Sequence, residues 1–390
     1  MKHSLLPLGG AAAATALLAT TLVGPLAGTA QAAPDWATDP MARNNSSAVS
    51  VINFWAASNF AALKRATVYN ADPGAPKMKV GGGFSPDGRP GSVGPTGSQK
   101  PTPSLAKNVN LPKTIGKVFF VVNGQYRWCS ATSIQGKYRN LVATAGHCVY
   151  DPGSNSDTLD KWVFVPGYYQ GKTPWGIYVG KSAWTHYDFA NYEDYDKDYA
   201  FVTVYNGVAF NGVKQVTKAE YAGFSGPKWS RGSRYYILLS KDVGRLGDNV
   251  GGQGFTWNQK TGKPVYVFGY PAAPHPDGDR PYSGVTPKYL YGKTSGKEYV
   301  SAAEKVEEHV GLKGAFTPGA DGGPWLTQYS SARRLGYLNG VTSLFGDQDQ
   351  NDRYDLITSP YFDGETAEIY RKAANVWSGR IVGPNGELYK

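Results

Sequence analysis

The stretch NLVATAGHC, residues 140–148, runs from strand-forming residues into a turn that presents a histidine beside a cysteine. Leu141 to Thr144 suit an extended strand, and Gly146 lets the backbone turn sharply ahead of His147. A lone histidine at such a turn is more often structural than catalytic, so its role depends on what the chain supplies elsewhere. Outward from it, short strand-like runs follow one another: KVFFVV, RWCSATSI, KWVFVPG, DYAFVTV, RYYILLS, PVYVFGYP and GYLNGVTSLF. Gly, Pro, Asn and Asp separate them, and between most of them there is no helix-length periodic segment. Regularly spaced strands without alternating helices indicate an antiparallel barrel or sandwich, not a βαβ sheet. One helix closes the series: Asp363 can cap ETAEIYRKAANVW, whose Ile369, Tyr370, Ala373 and Trp377 share a face. The expected domain is all-β over 115–378 with a C-terminal helix, and a tail follows at 379–390.

The N-terminus indicates export. MKH is a short basic start, an apolar run interrupted by Gly and Pro follows, and Ala30-Gln31-Ala32 is an A-x-A cleavage site. Residues 1–32 therefore form an expected signal peptide rather than a retained anchor. No later segment has the ~18 consecutive apolar residues needed to span a bilayer. The only cysteines, Cys129 and Cys148, lie beyond this leader. In an oxidising compartment an even pair is most simply one disulfide, closing a loop of about 20 residues and contributing on the order of 3 kcal/mol.

Residues 33–114 differ in texture. SVINFWAASNFAALKRA carries Ile52, Trp55, Phe60 and Leu63 on a plausible helix face. PGAPKMKVGGGFSPDGRPGSVGPTGSQKPTP then reads as a connector that buries little. The expectation is a pro-region with an exposed linker, the alternative a small separate binding domain. The formal charge of +10 raises a nucleic-acid or anionic partner. No Lys/Arg block or RNA-binding signature accompanies it, so no nucleic-acid partner is expected.

Two further stretches complete the pattern. In DKDYAFVTV, residues 196–204, Asp198 precedes an alternating strand; taken alone it is an ordinary solvated turn acid. In TPGADGGPWL, residues 317–326, glycines surround position 321 and allow backbone N–H groups to be aimed at an oxyanion. TAGHC with a second cysteine 19 residues upstream, D-Y-A-F-V, and G-x-x-G-G-P-W in that order resemble the secreted trypsin-like serine peptidases of the chymotrypsin clan, of the bacterial, actinobacterial type.

That resemblance covers roughly 260 residues. It implies a chymotrypsin-like double β-barrel of six strands each, with the site in the cleft between barrels and the Cys129–Cys148 bridge pinning the histidine loop. It also implies that His147 is the general base, Asp198 its orienting acid, and the N–H groups of Gly319 and Asp321 the oxyanion hole. Thr342 and Ser343 would line the substrate pocket, and the ligand would be polypeptide. No cofactor or metal is expected, and the protein is expected to be a monomer.

The nucleophile position departs from the family, because Asp321 stands where serine belongs. Serine works because histidine removes its proton and leaves an alkoxide aimed at a carbonyl. An aspartate is already ionised, attacks amides poorly, and puts negative charge where the oxyanion must form. Two carboxylates flanking one imidazole also favour the imidazolium, which is no base. A catalytically impaired peptidase or pseudo-peptidase is the leading expectation, set against a polypeptide- or cell-envelope-binding protein on a peptidase scaffold, or a weak hydrolase using a variant nucleophile such as the carboxylate acting on esters. Finally, Asp347, Asp349, Asn351 and Asp352 form an oxygen-rich run, but the sixth position lacks the glycine of an EF-hand and Thr358 stands where its glutamate would be. A solvated hairpin is expected there.

Overall fold

Alternation builds the first half of the molecule. In the strand Ile115–Val122, Val118, Phe120 and Val122 pack into one apolar cluster with Ala131, Val142, Phe164, Ala183 and Val202. Ile115 and Phe119 point the other way, into a second cluster, as the period of two requires. Both faces are therefore buried, one inside a barrel and one beneath a covering layer. The computed structural model describes residues 35–71, 76–97, 111–153, 157–384 and 386–389. The expected 1–32 signal peptide lies outside the described residues, as does 98–110 of the Pro/Gly/Ser-rich stretch.

Six antiparallel strands close the first barrel. Ile115–Val122 pairs with Gln125–Ile134, which pairs with Leu141–Thr144, then Ala200–Val204, Tyr178–His186 and Asp160–Pro166, which returns to Ile115–Val122. The second half is open, two sheets of six and five strands instead of a second closed barrel. The six-stranded sheet is built around Pro264–Gly269, Pro324–Ser330 and Leu335–Val341, and the other around Val306–Lys313 and Leu356–Pro360. The fold is thus all-β and chymotrypsin-like, a closed barrel beside a half-barrel. A three-stranded arm, Gly207–Val216, Lys228–Arg231 and Arg234–Gly244, forms a separate sheet.

The C-terminal helix spans Gly364–Ala374. Asp363 caps it, accepting the Thr366 N–H. Ile369, Tyr370 and Ala373 are buried, and Tyr370 stacks on Phe255 with ring centroids 4.1 Å apart. Trp377 lies beyond the last turn and is half exposed, so it leaves the expected face.

Residues 33–114, expected as a pro-region with an exposed connector, are built into the domain wherever they are described. Trp36–Pro40 extends the first barrel by pairing with Tyr178–His186. Gly91–Val93 pairs with Gly254–Trp257, and Lys79–Val80 with Glu298–Ser301. The helix Asn45–Arg65 is capped by Asn44, which exchanges bonds with Ser47. It breaks at 57–60, where Ser58, Asn59 and Phe60 take positive φ, so Phe60 leaves the face that Ile52, Trp55 and Leu63 share. Scattered apolar residues such as Trp36 and Met78 carry no periodic signal, and only the assembled sheets give them partners.

Trp55 is the layer that covers the barrel. Its ring packs on Phe119, 5.9 Å between centroids, and its Nε1–H donates to the Lys161 carbonyl. Trp55→Ala in the full chain should cost about 3–5 kcal/mol, as burial of an indole predicts. Urea denaturation measures it, and a loss below about 1 kcal/mol shows that this helix is not part of the folded core.

Candidate active site

Each site residue stands at a junction between a strand and a turn. Leu141–Thr144 ends in the short helical turn Gly146–Cys148 that carries His147. A side chain at Gly146 would run into the Phe189 ring, 2.5 Å from its first atom, so only glycine admits this approach. The Cys129–Cys148 bond ties the turn to the strand Gln125–Ile134. His147 and the two sulfurs lie close together, but the sulfurs are bonded to each other and offer no thiolate to a metal.

Asp198 follows the turn Tyr195–Lys197 at the start of Ala200–Val204. That turn is anchored to the second half: Asp196 Oδ1 accepts the amides of Glu307 and Glu308 at 2.9 and 2.6 Å. Lys197 reaches toward Asp363 and Glu365 at the start of the C-terminal helix. Asp198 is thereby fixed from both halves.

The structure brings His147, Asp198 and Asp321 together in a line. The Nδ1–H of His147 donates to Asp198 Oδ2 at 2.8 Å, and its backbone N–H to Oδ1 at 2.8 Å. Ser343 donates its hydroxyl to Asp198 Oδ2 at 2.5 Å. The Ser343 side chain, expected in a pocket wall, thus serves the acid. Thr342 is fully buried and accepts the Trp325 Nε1–H at 3.0 Å, so its hydroxyl is committed as well.

On the other side of the ring, His147 Nε2 lies 3.4 Å from Asp321 Oδ1. Asp321 Oδ2 accepts the Gly319 N–H at 2.5 Å. One carboxylate therefore spans the histidine and the donor that the sequence assigned to the oxyanion hole. Gly319 takes a φ of +106°, and a side chain there would lie 2.6 Å from the Tyr270 carbonyl. Gly322, at φ +73°, would clash with Thr144 and the Ser130 carbonyl. Ser130 holds the loop from below, its amide donating to the Asp321 carbonyl and its hydroxyl to the Gly319 carbonyl.

Burial and charge set the protonation of this line. Burial pulls the His147 imidazole down, but the charge and hydrogen bond of Asp198, with a further bond from Asp321, outweigh it. Together they push the imidazole up to about 10. Burial pushes Asp198 up, yet His147 and the Ser343 hydroxyl hold its carboxyl below the usual range. At neutral pH Asp198 is therefore a carboxylate and His147 an imidazolium, and the line is closed to water, with His147 2% and Asp321 3% exposed.

Sequence reasoning missed the flanking aromatics. Tyr195 stacks on His147 at 6.0 Å and Tyr69 faces it at 6.2 Å. Tyr69 arrives from a segment with no motif, and Tyr195 from the turn immediately before the Asp198 motif. The acidic run 347–352 forms a hairpin: Asp347 spends both oxygens on the amides of Asn351 and Asp352.

The crystal structure of the protease Anisep from Arthrobacter nicotinovorans is similar to this chain, with a TM-score of 0.51 and 25% identity over 68% of this chain and 98% of that one. A thermostable serine protease, AL20, from an extremophilic microorganism aligns with a TM-score of 0.49 and 23% identity, again over 68% and 98%. No family model and no curated protein matches the chain. The scaffold is that of the bacterial chymotrypsin-fold serine proteases. Among the described residues no helix is long and apolar enough to cross a membrane.

Proposed function

We propose that this chain is an exported, trypsin-like peptidase relative in which acyl transfer is disabled at the nucleophile position and the cleft holds polypeptide. The observation that carries this is the Asp321 carboxylate, one oxygen on the Gly319 N–H and the other facing His147. A peptidase keeps that N–H free for the oxygen that gains charge during attack. Here the Asp321 carboxyl fills the place, and the imidazolium beside it has no capacity to accept a proton. His147 and Asp198 retain the geometry of base and orienting acid without the chemistry.

A carboxylate nucleophile for esters is the second reading. It requires Asp321 to leave both partners and His147 to lose its proton near neutral pH, which the bonding and the raised imidazole oppose. The test is a fluorophosphonate probe with a fluorogenic peptide panel on the full chain at pH 7–8. Neither label nor hydrolysis above background is expected. Labelling of Asp321 or of a nearby serine, abolished by His147→Ala, overturns the proposal.

A further inference from the structure

Thr67 and Val68 pair in parallel with Arg127 and Trp128 of Gln125–Ile134, and Tyr69 donates its N–H to the Trp128 carbonyl at 3.0 Å. Arg127 holds the same segment, one Nη donating to Thr67 Oγ1 at 2.7 Å and to the Val68 carbonyl at 3.3 Å. Beyond these bonds the segment leads straight to the site. A Val68 methyl lies 3.0 Å from where a side chain at Gly319 would begin, directly over the loop that carries Asp321. The Tyr69 ring is half-buried, faces His147 and meets Phe120 edge-on at 5.2 Å. Burial, then the charges of Asp151 and Asp321, push its phenol up to about 12, so it stands among these carboxylates as a neutral group.

We infer that Thr67-Val68-Tyr69 is a ligand carried in cis, and that the surface beside Gly319 and His147 takes extended polypeptide bearing a β-branched residue followed by an aromatic, aligned parallel to Gln125–Ile134. The inference rests on the polypeptide-holding function proposed above and names the ligand class of that site. Backbone pairing with Trp128 gives the strap affinity without sequence demand, while Val68 and Tyr69 supply the selective contacts, the division of labour of strand-addition binding. A polypeptide in trans must displace the strap, and that competition lowers its apparent affinity by the fraction of molecules in which the strap is open.

Two measurements test this on the full chain, and neither reads hydrolysis. A fluorescein-labelled peptide of sequence ATVYNA, residues 66–71, is titrated into wild type and into Val68→Gly/Tyr69→Ala, with a scrambled peptide as control. At least about 10-fold tighter binding to the loosened variant is expected, with no such gain for the scrambled sequence. Hydrogen exchange followed by mass spectrometry should show the Tyr69 amide protected in wild type and deprotected by excess unlabelled ATVYNA. Equal peptide affinity in the two proteins, or a Tyr69 amide exchanging at the free-peptide rate in folded wild type, overturns the inference. Because these readouts follow occupancy, fluorophosphonate labelling of wild type would sink the disabled-enzyme proposal and leave this result standing.

Discussion

Asp321→Ser is expected to raise peptide hydrolysis from background by at least about 10³-fold. The exchange removes the anion that occupies the Gly319 N–H and places a hydroxyl within reach of His147 Nε2. Losing one oxyanion donor costs a peptidase about 10²–10³ in rate, and a triad lacking one member retains only about 10³–10⁴ over water. The wild type suffers both defects, so their joint repair sets a large floor. Removing Asp321 also withdraws one of the two carboxylates that hold the imidazole up, which returns His147 toward a range where it can act as a base. The assay is a fluorogenic panel on Asp321→Ser and Asp321→Ser/His147→Ala. The serine variant is also combined with Val68→Gly/Tyr69→Ala, because the strap would obstruct substrate. Silence of the strap-loosened serine variant, folded normally, means that the remaining site has lost its catalytic geometry. Hydrolysis that survives His147→Ala means that the chemistry lies elsewhere.

Asp198→Asn should produce a large loss of stability and abolish much of its pH dependence. Asp198 is fully buried and accepts two bonds from His147 and one from Ser343. Removing one partner of a buried ion pair costs about 3–5 kcal/mol because the other charge is left uncompensated. The sign of the pH effect follows from the two shifts. His147 is raised from 6.5 to about 10, so its contribution is complete below about pH 6.5 and is lost as pH rises toward 10. Asp198 is depressed, so its contribution is present above about pH 3.8 and disappears only as pH falls below that. Wild type should therefore be most stable near pH 4–6.5 and weaken on the alkaline side. Asp198→Asn should start lower and show a shallower alkaline decline. Urea midpoints at pH 5.5, 7.5 and 9.5 decide the matter, and parallel profiles for the two proteins would show that the imidazolium is not held by Asp198.

The Asp321 carboxylate and the strap bear on one another. Both sit at the Gly319 loop, and no part of the line from Asp198 to Asp321 is more than slightly exposed. In an active peptidase a cover of this kind would be a reversible inhibitor. On the function proposed above, the strap beside Asp321 serves binding rather than protection from untimely chemistry.

Much of this was legible in local sequence. Strands of period two with turn residues between them specify an all-β chain, and Asp363 before an amphipathic run specifies the last helix. That the three distant segments around His147, Asp198 and Asp321 belong to one site is what their resemblance to trypsin-like serine peptidases implies, and the glycines sit where backbone or rings approach closely, as at Gly146 and Gly322. The cysteine pairing follows from there being only two. Tertiary structure alone decided the rest. The second half forms as a half-barrel of two sheets, since strand number and closure depend on pairings between residues far apart in the chain. Outside the helix face of Ile52, Trp55 and Leu63, the described residues before 98 carry no periodic pattern, yet they supply strands, because an isolated Trp36 or Met78 finds partners only once the sheets exist to receive it. Ser343 turned to Asp198, and Tyr69 to His147, for the same reason: hydrogen bonds and ring contacts between segments 145 and 78 residues apart leave no trace in local pattern.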